Sequence, residues 1–259
     1  MMWIDTHAHL DDERLIGQVE EIISEFIEAG GKGIINPSYD KDSMEASVDL
    51  AKRFDLVYAT VGMHPHDAKD ADESFFDRMK ELLEEEKVIG VGEIGLDYHY
   101  DHSPRDVQQE IFERQMDLAA QKSLPVAIHS REAHQDTYDI LKKYEGRVIG
   151  IMHSYSGSWE MAKNYLDLGY YLSFSGPITF KNSRKLPEVA KNAPLDRILV
   201  ETDSPYLTPV PFRGKTNRPL YVQYVAQKVA EVRDMPVSSL MEAVRENVKV
   251  LFPTMTLLD

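Results

Sequence analysis

The chain contains no cysteine. That absence excludes a disulfide framework, a cysteine-based zinc ribbon and a thiol nucleophile, and it fits a reducing compartment. Long apolar runs are missing too. No stretch of about 18 apolar residues occurs, so no membrane span is expected. Near the N-terminus no basic segment precedes an apolar run, as it would in a secretory signal. The expectation is a cytoplasmic protein with no membrane partner. Cations are in deficit: 29 Lys and Arg stand against 44 Asp and Glu, for a formal net charge of −15. So acidic a balance argues against a general affinity for nucleic acid, whose binders usually present a basic surface. It says nothing about the charge inside a cleft.

What is present is a regular alternation. With 259 residues, 42% of them hydrophobic, the chain is long enough to bury a sizeable core. Short apolar runs rich in β-branched and aromatic residues recur as "MWIDTHA", "GIINPS", "VYATVGMH", "VIGVGEIG", "PVAIHS", "VIGIMHS", "YYLSFSG" and "RILVETD". Each reads as a buried parallel strand. Helical stretches are predicted between them, roughly over 13–29, 41–53, 73–86, 105–122, 132–144, 158–168 and 183–192. Two more are predicted after the last strand, over about 218–232 and 236–250. The first carries its stripe on Leu15, Ile16, Val19, Ile22, Ile23, Phe26 and Ile27 and ends at Gly30 and Gly31. In "HSPRDVQQE", Ser103 reads as N-cap and Pro104 as the first helical residue. No linker or low-complexity tract divides the chain. The pattern predicts an α/β fold, a closed (β/α)8 TIM-like barrel over residues 1–259 as a single domain. An open doubly wound sheet is the alternative.

A barrel gathers its chemistry at the C-terminal ends of the strands. The polar residues that end these runs are His7 and His9, His64 and His66, Glu93, His129 and Arg131, His153, and Asp203. In a strand, His7 and His9 emerge on one face, because side chains alternate. His7, His9, His129 and His153 offer nitrogen, and Glu93 and Asp203 offer carboxylate oxygen. Six ligands exceed what one tetrahedral ion needs and suit two divalent ions sharing a carboxylate. Glu93 is the expected bridge, with His7, His9 and Asp203 on one ion and His129 and His153 on the other. A set so rich in nitrogen favours Zn, Mn, Co, Ni or Fe over Ca. Two such ions outweigh the two carboxylates, so an acidic chain still presents a local anion trap, to which Arg131 adds. Phosphate is a plausible target. In this reading Glu93 and Asp203 are catalytic. Asp203 accepts the proton of the attacking water, while His64 and His66 orient the scissile group.

Each residue also has an ordinary reading. A strand histidine can be a hydrogen-bonded core residue, Glu93 an ion-pair partner, and Asp203 a turn residue before Pro205. His64, His66 and Arg131 can be solvent-facing. His99, His102 and His134 read as loop or helix-surface residues. Tyr98, Tyr155 and Tyr206 are either packing residues or platforms for bases. Asp5 reads as support for a ligand histidine. Convergence of so many ligand types on strand ends favours the metal reading.

Together "DTHAHLD", "GMHPH", "GEIGLDYH", "HSREA", "HSYSG", "SFSGPITFKNS" and "ETDSPYL" resemble the TatD-like deoxyribonuclease family of the amidohydrolase superfamily. The resemblance runs in order from residue 3 to "NRP" at 217–219. It implies a (β/α)8 barrel and a divalent-metal phosphodiesterase acting on DNA, often from the 3′ end of single strands. It implies metal ligation by His7, His9, Glu93, His129, His153 and Asp203, with Zn, Mn or Mg as the ions. His64 matches the phosphate-side histidine and His66 is its neighbour. Where the family often has Cys-Phe after the sixth-strand histidine, this chain has Ser154-Tyr155, a change that spares the ligand. An amidohydrolase, lactonase or phosphotriesterase acting on a small molecule with the same two-metal site is the alternative. Such relatives often bridge their ions with a carboxylated lysine, and Glu93 in that place favours the nuclease reading. A barrel that binds without turnover would be expected to have lost a ligand, and none is lost.

Overall fold

The computed structural model describes residues 2–258. Eight parallel strands form one sheet in chain order: β1 (Trp3–Asp5), β2 (Gly31–Pro37), β3 (Val57–Val61), β4 (Val88–Asp97), β5 (Val126–Arg131), β6 (Gly150–Met152), β7 (Tyr171–Phe174) and β8 (Ile198–Val200). The seam between β8 and β1 is closed by hydrogen bonds just beyond the regular strands. Thr6 N–H donates to Val200 O at 3.3 Å, Asp203 N–H to His7 O at 2.9 Å and His9 N–H to Ser204 O at 2.8 Å. The sheet thereby curls into the (β/α)8 barrel that the alternation predicts, and the doubly wound alternative is excluded. Among the described residues no helix is long and apolar enough to cross a membrane.

The helices fall where the apolar periodicity places them: α1 (Val19–Glu28), α2 (Lys41–Arg53), α3 (Glu73–Leu82), α4 (Arg105–Lys122), α5 (His134–Lys142), α6 (Trp159–Asp167), α7 (Leu186–Asn192), α8 (Val222–Val232) and α9 (Val237–Leu251). Several details differ from expectation: β1 ends at Asp5, so His7 and His9 lie just beyond it, α3 stops at Leu82, and a 3-10 turn over Pro219–Tyr221 precedes α8. Residues Ile16–Gln18 form a separate 3-10 turn, and Ile16 and Ile27 are 41% and 44% exposed. The stripe that packs is Val19, Ile22, Ile23 and Phe26. At α4 the cap position is Pro104, not Ser103. The Ser103 hydroxyl instead donates to His66 O at 2.8 Å and accepts from Lys69 N–H at 3.1 Å. It ties the start of α4 to the loop after β3, so tertiary demand overrides the local cap.

Strand side chains such as Ile4, Ile34, Val61, Val91, Ile128, Leu172 and Leu199 are fully buried. Each such aliphatic stabilises the fold by roughly 1.5–3 kcal/mol. The strands also position the chemistry. On β4 the pairing with β5 advances three residues, from Val91 to Ile94, while β5 advances two, from Val126 to Ile128. The extra residue is a bulge, a device that re-aims a side chain, and it contains Gly92 and Glu93. A Cβ on Gly92 would stand 2.7 Å from Ala127 Cβ, so glycine permits the close approach of β4 to β5.

Candidate metal centre

At the C-terminal mouth of the barrel the polar strand ends converge. His7 Nε2 lies 3.3 Å from His9 Nε2, and these nitrogens lie 3.2 and 3.5 Å from Glu93 Oε2. Asp203 Oδ1 is 3.5 Å from His9 Nε2 and 3.9 Å from His7 Nε2. The other oxygen of the same carboxylate serves a second group. Glu93 Oε1 lies 2.8 Å from His129 Nδ1, 3.0 Å from His153 Nε2 and 3.4 Å from His64 Nε2. The His7 and His153 rings stack with centroids 3.9 Å apart. Glu93 therefore stands between two clusters, one oxygen to each.

Hydrogen bonds on the far side of each ring decide which nitrogen faces inward. Glu201 Oε1 accepts from His153 Nδ1 at 3.0 Å and from Ser154 N–H at 2.9 Å. The lone pair of His153 Nε2 is thereby turned toward Glu93. Asp97 Oδ2 accepts from His129 Nε2 at 3.0 Å, which turns His129 Nδ1 toward Glu93. Asp5 Oδ1 accepts from Thr202 N–H at 2.8 Å and from His7 N–H at 3.3 Å, fixing the backbone on which His7 rides. Asp5 thus supports the β8–β1 seam and the backbone of His7; no contact of its carboxylate with the His7 ring accompanies these bonds. Asn36 Oδ1 accepts from Leu10 N–H at 2.6 Å and steadies the segment after β1 that carries His9. The amide of Asn217, from "NRP", donates to Thr202 O at 2.8 Å and to Tyr206 O at 2.6 Å, clamping the turn that carries Asp203.

His64 is arranged the opposite way. Its Nδ1 accepts from His66 N–H at 3.2 Å, so the neutral ring carries its proton on Nε2. Burial pushes the His64 ring down to about 4, which keeps it neutral. It therefore presents a donor at the mouth, the form suited to a substrate oxygen. His66 Nε2 lies 3.0 Å from Asp97 Oδ2, so one carboxylate holds both His66 and His129. Arg131 is exposed at the rim, its guanidinium 4.7 Å from the centroid of the Tyr100 ring.

Charge in the centre follows from this crowding. Burial opposes ionisation of Glu93, but His153, His64 and His129 outweigh it and hold the carboxyl well below its ordinary value. Burial also disfavours charge on His153, yet Glu93 and Glu201 raise it well above the usual histidine range. For His9, burial is outweighed by Asp203 and Glu93, and the ring is pushed up to about 9. Protons thus occupy the space between lone pairs that face one another. Carboxylate oxygens and imidazole nitrogens that converge from five strands are a donor set for divalent cations, whose binding would displace those protons. Three sets of these side chains, His7–His9–Glu93, His7–His153–Asp203 and His64–Glu93–His129, bring ligand atoms close enough together to hold a metal ion.

Above the centre opens a cleft of about 670 Å³ lined by His9, His64, His66, Glu93, His129, Arg131, His153, Asp203 and Tyr206, among others. Tyr206 is 47% exposed. Its hydroxyl donates to Asp12 Oδ2 at 3.1 Å, and Arg14 lies over its ring at 4.3 Å. Tyr155 is buried, its hydroxyl donating to Ser158 O at 2.7 Å, and Tyr98 donates to Asp136 at 2.7 Å. Of the tyrosines considered as base platforms, Tyr155 is a packing residue and Tyr98 is tied down. His102, expected at the surface, is exposed but lines the cleft and stacks parallel to Tyr100.

Sequence reasoning missed Asp97 and Glu201. Both lie in the quoted motifs, as acids at the ends of otherwise apolar strands, and that placement was the available signal.

Comparison with known proteins agrees with this geometry. A family model described as TatD related DNase matches residues 4–253. The chain is 43% identical to the uncharacterized metal-dependent hydrolase YabD of Bacillus subtilis strain 168, over 97% of this chain and 99% of that protein. It is 36% identical to the uncharacterized metal-dependent hydrolase YcfH of Escherichia coli K12, over 97% of this chain and 96% of the relative. The crystal structure of YJJV, a TatD homologue from Escherichia coli K12, superposes with a TM-score of 0.92 at 31% identity, covering 97% of this chain and 98% of that one. The chain belongs to the TatD-related DNase family and is a metal-dependent hydrolase.

Proposed function

We propose that this protein hydrolyses phosphodiester bonds in DNA, acting from the 3′ end of single strands, with two divalent ions, Zn, Mn or Mg, held on either side of Glu93. The observation that carries the reading is the division of the Glu93 carboxylate, one oxygen facing His7 and His9 and the other facing His129 and His153. His7, His9 and Asp203 would hold one ion, and His129 and His153 the other. Bound there, such ions lower the pKa of water toward neutrality and polarise the bond under attack.

The chain's own groups do the rest. Burial raises the Asp203 carboxyl, but His9, His153 and His7 hold it below its ordinary value. It is therefore an anion at the cleft floor, able to accept a proton. The Nε2–H of His64 points into the same space and donates to a phosphoryl oxygen. His66, held by Asp97, and Arg131 at the rim orient the anionic substrate. The half-exposed Tyr206 ring, backed by Arg14, offers a stacking face to a base.

Single-stranded oligonucleotides labelled at the 5′ or the 3′ end, incubated with protein and Mn²⁺, Zn²⁺ or Mg²⁺, test this reading. The expected result is early release of the 3′ label as a mononucleotide and a descending ladder from the 5′-labelled strand. Intact DNA under all three ions, together with turnover of a lactone, phosphotriester or amide, would overturn it in favour of a small-molecule hydrolase.

A further inference from the structure

The cations of this acidic chain are unevenly placed. No carboxylate occurs between Phe174 and Glu188, or between Asp203 and Glu231. These segments comprise the loops that follow β7 and β8, together with the start of α7 and most of α8. They carry Lys181, Arg184, Arg213 and Lys215, all exposed. Several cations on the helices are paired: Arg78 with Glu45 and Glu81, Arg114 with Glu73, and Lys143 with Glu113. Within the second segment itself, Arg218 pairs with Glu25 of α1 at 2.9 Å. Among the described residues, none of Lys181, Arg184, Arg213 and Lys215 has a carboxylate within ion-pair distance.

The two loops form one surface. Thr179 Oγ1 accepts from Val210 N–H at 2.9 Å, and the Arg213 guanidinium lies 4.0 Å from the centroid of the Phe180 ring. At Gly176 the first loop presses so closely on Leu207 O that a Cβ would overlap it. Pro177 and Leu207, one from each loop, line the cleft above the metal centre. The cationic surface is thus continuous with one wall of the cleft, on the β7–β8 side.

We propose that this lip is a track for the phosphate backbone of a single DNA strand whose end occupies the cleft. Four unpaired cations on a carboxylate-free surface attract a polyanion although the whole molecule is strongly negative, because salt screens distant charge within about 10 Å. Helix faces rich in carboxylates repel the same strand. The lip therefore sets the path along which the strand enters. This inference rests on the reading of the cleft as a DNA phosphodiesterase, but its test also reads binding without turnover.

The experiment compares wild-type protein with Lys181→Gln/Arg184→Gln/Arg213→Gln/Lys215→Gln, both metal-loaded. Fluorescence anisotropy with labelled dT20 gives affinity across a salt series. Hydrolysis of the p-nitrophenyl ester of thymidine 5′-monophosphate reports chemistry at the centre alone. Each phosphate neutralised on a single strand contributes about 0.7 to the slope of log affinity against log salt. The variant is expected to lose about 2 to 3 from that slope and to raise KM for dT20 at least about tenfold, with ester hydrolysis unchanged. A milder pair, Lys181→Gln/Arg184→Gln, should lose about half as much slope, which guards against misfolding of the quadruple variant. An unchanged slope and KM, or no binding of dT20 by wild type, overturns the track. Binding with the expected slopes but without cleavage of DNA would leave the track standing and overturn the nuclease reading.

Discussion

His153, one of the proposed ligands, shows how a hydrogen bond orients a buried imidazole. Glu201 accepts its Nδ1 proton at 3.0 Å, and Nε2 is left facing Glu93 at 3.0 Å. Outer partners of this kind fix ring orientation and tautomer, and their loss typically weakens metal affinity about 10–100-fold. Glu201→Ala is therefore expected to weaken binding of Zn²⁺ or Mn²⁺ by about that factor in competition with a chelator, with circular dichroism unchanged. Glu201→Gln should recover part of the loss, because its amide oxygen still accepts from Nδ1. Wild-type affinity in the alanine variant would remove Glu201 from this role. The six proposed ligands were legible in the sequence because each ends an apolar run with a residue of unusual chemistry. Asp97 and Glu201 were not, because their significance lies in partners 32 and 48 positions away. Their one local signal, an acid ending an apolar run, does not say which histidine it holds.

Among the elements, β4 does most to shape the centre. Its bulge turns Glu93 inward, and Gly95, at φ +141°, lies against β5 where a Cβ would fall 2.0 Å from His129 O. No L side chain fits that backbone without moving β5, and with it His129. Gly95→Ala should destabilise the fold by about 1–3 kcal/mol in urea unfolding, the cost of a strained backbone position. Metal binding should weaken in parallel. An unchanged urea midpoint would show that β5 yields freely. The span of α2 was legible, since its buried residues Met44, Ser47, Val48 and Ala51 recur at helical spacing, whereas the cap of α4 was not. The 3-10 segment Pro65–Asp70 has no counterpart among the elements predicted from the sequence. Its geometry is set by the His64 ring capping His66 N–H and by the Ser103 hydroxyl from the far loop. Short segments of this kind carry too little periodicity to declare themselves.

For the whole molecule, the barrel brings side chains from β1, β3, β4, β5, the β6–α6 turn and the β8 loop to one mouth. The resulting knot of imidazoles and carboxylates would be stabilised by cations that replace its protons. An ion that binds the native state alone at about 100 times its dissociation constant adds about 2.7 kcal/mol. For a chain of this size each kcal/mol raises Tm by roughly 2–4 °C. Saturating Zn²⁺ or Mn²⁺ is thus expected to raise Tm by about 5–10 °C, and chelation to reverse the rise. An unchanged Tm across a metal titration would argue that these residues hold no ion. At the same scale, a chain of net charge −15 would accommodate the proposed anionic substrate through uneven placement of its charge. Carboxylates are spread over the other helices, whereas the loops after β7 and β8 and most of α8 carry none between Phe174 and Glu188 or between Asp203 and Glu231.

By itself the sequence determined the strand and helix alternation, hence the barrel, and the ligand types at its strand ends. Periodicity and residue chemistry are local properties, and a chain states them directly. Only the tertiary structure decided how the Glu93 oxygens divide, which nitrogen each histidine presents, and that the carboxylate-free loops merge into one lip beside the cleft. Those are relations between residues tens of positions apart, created when the sheet closes and brings β8 back to β1.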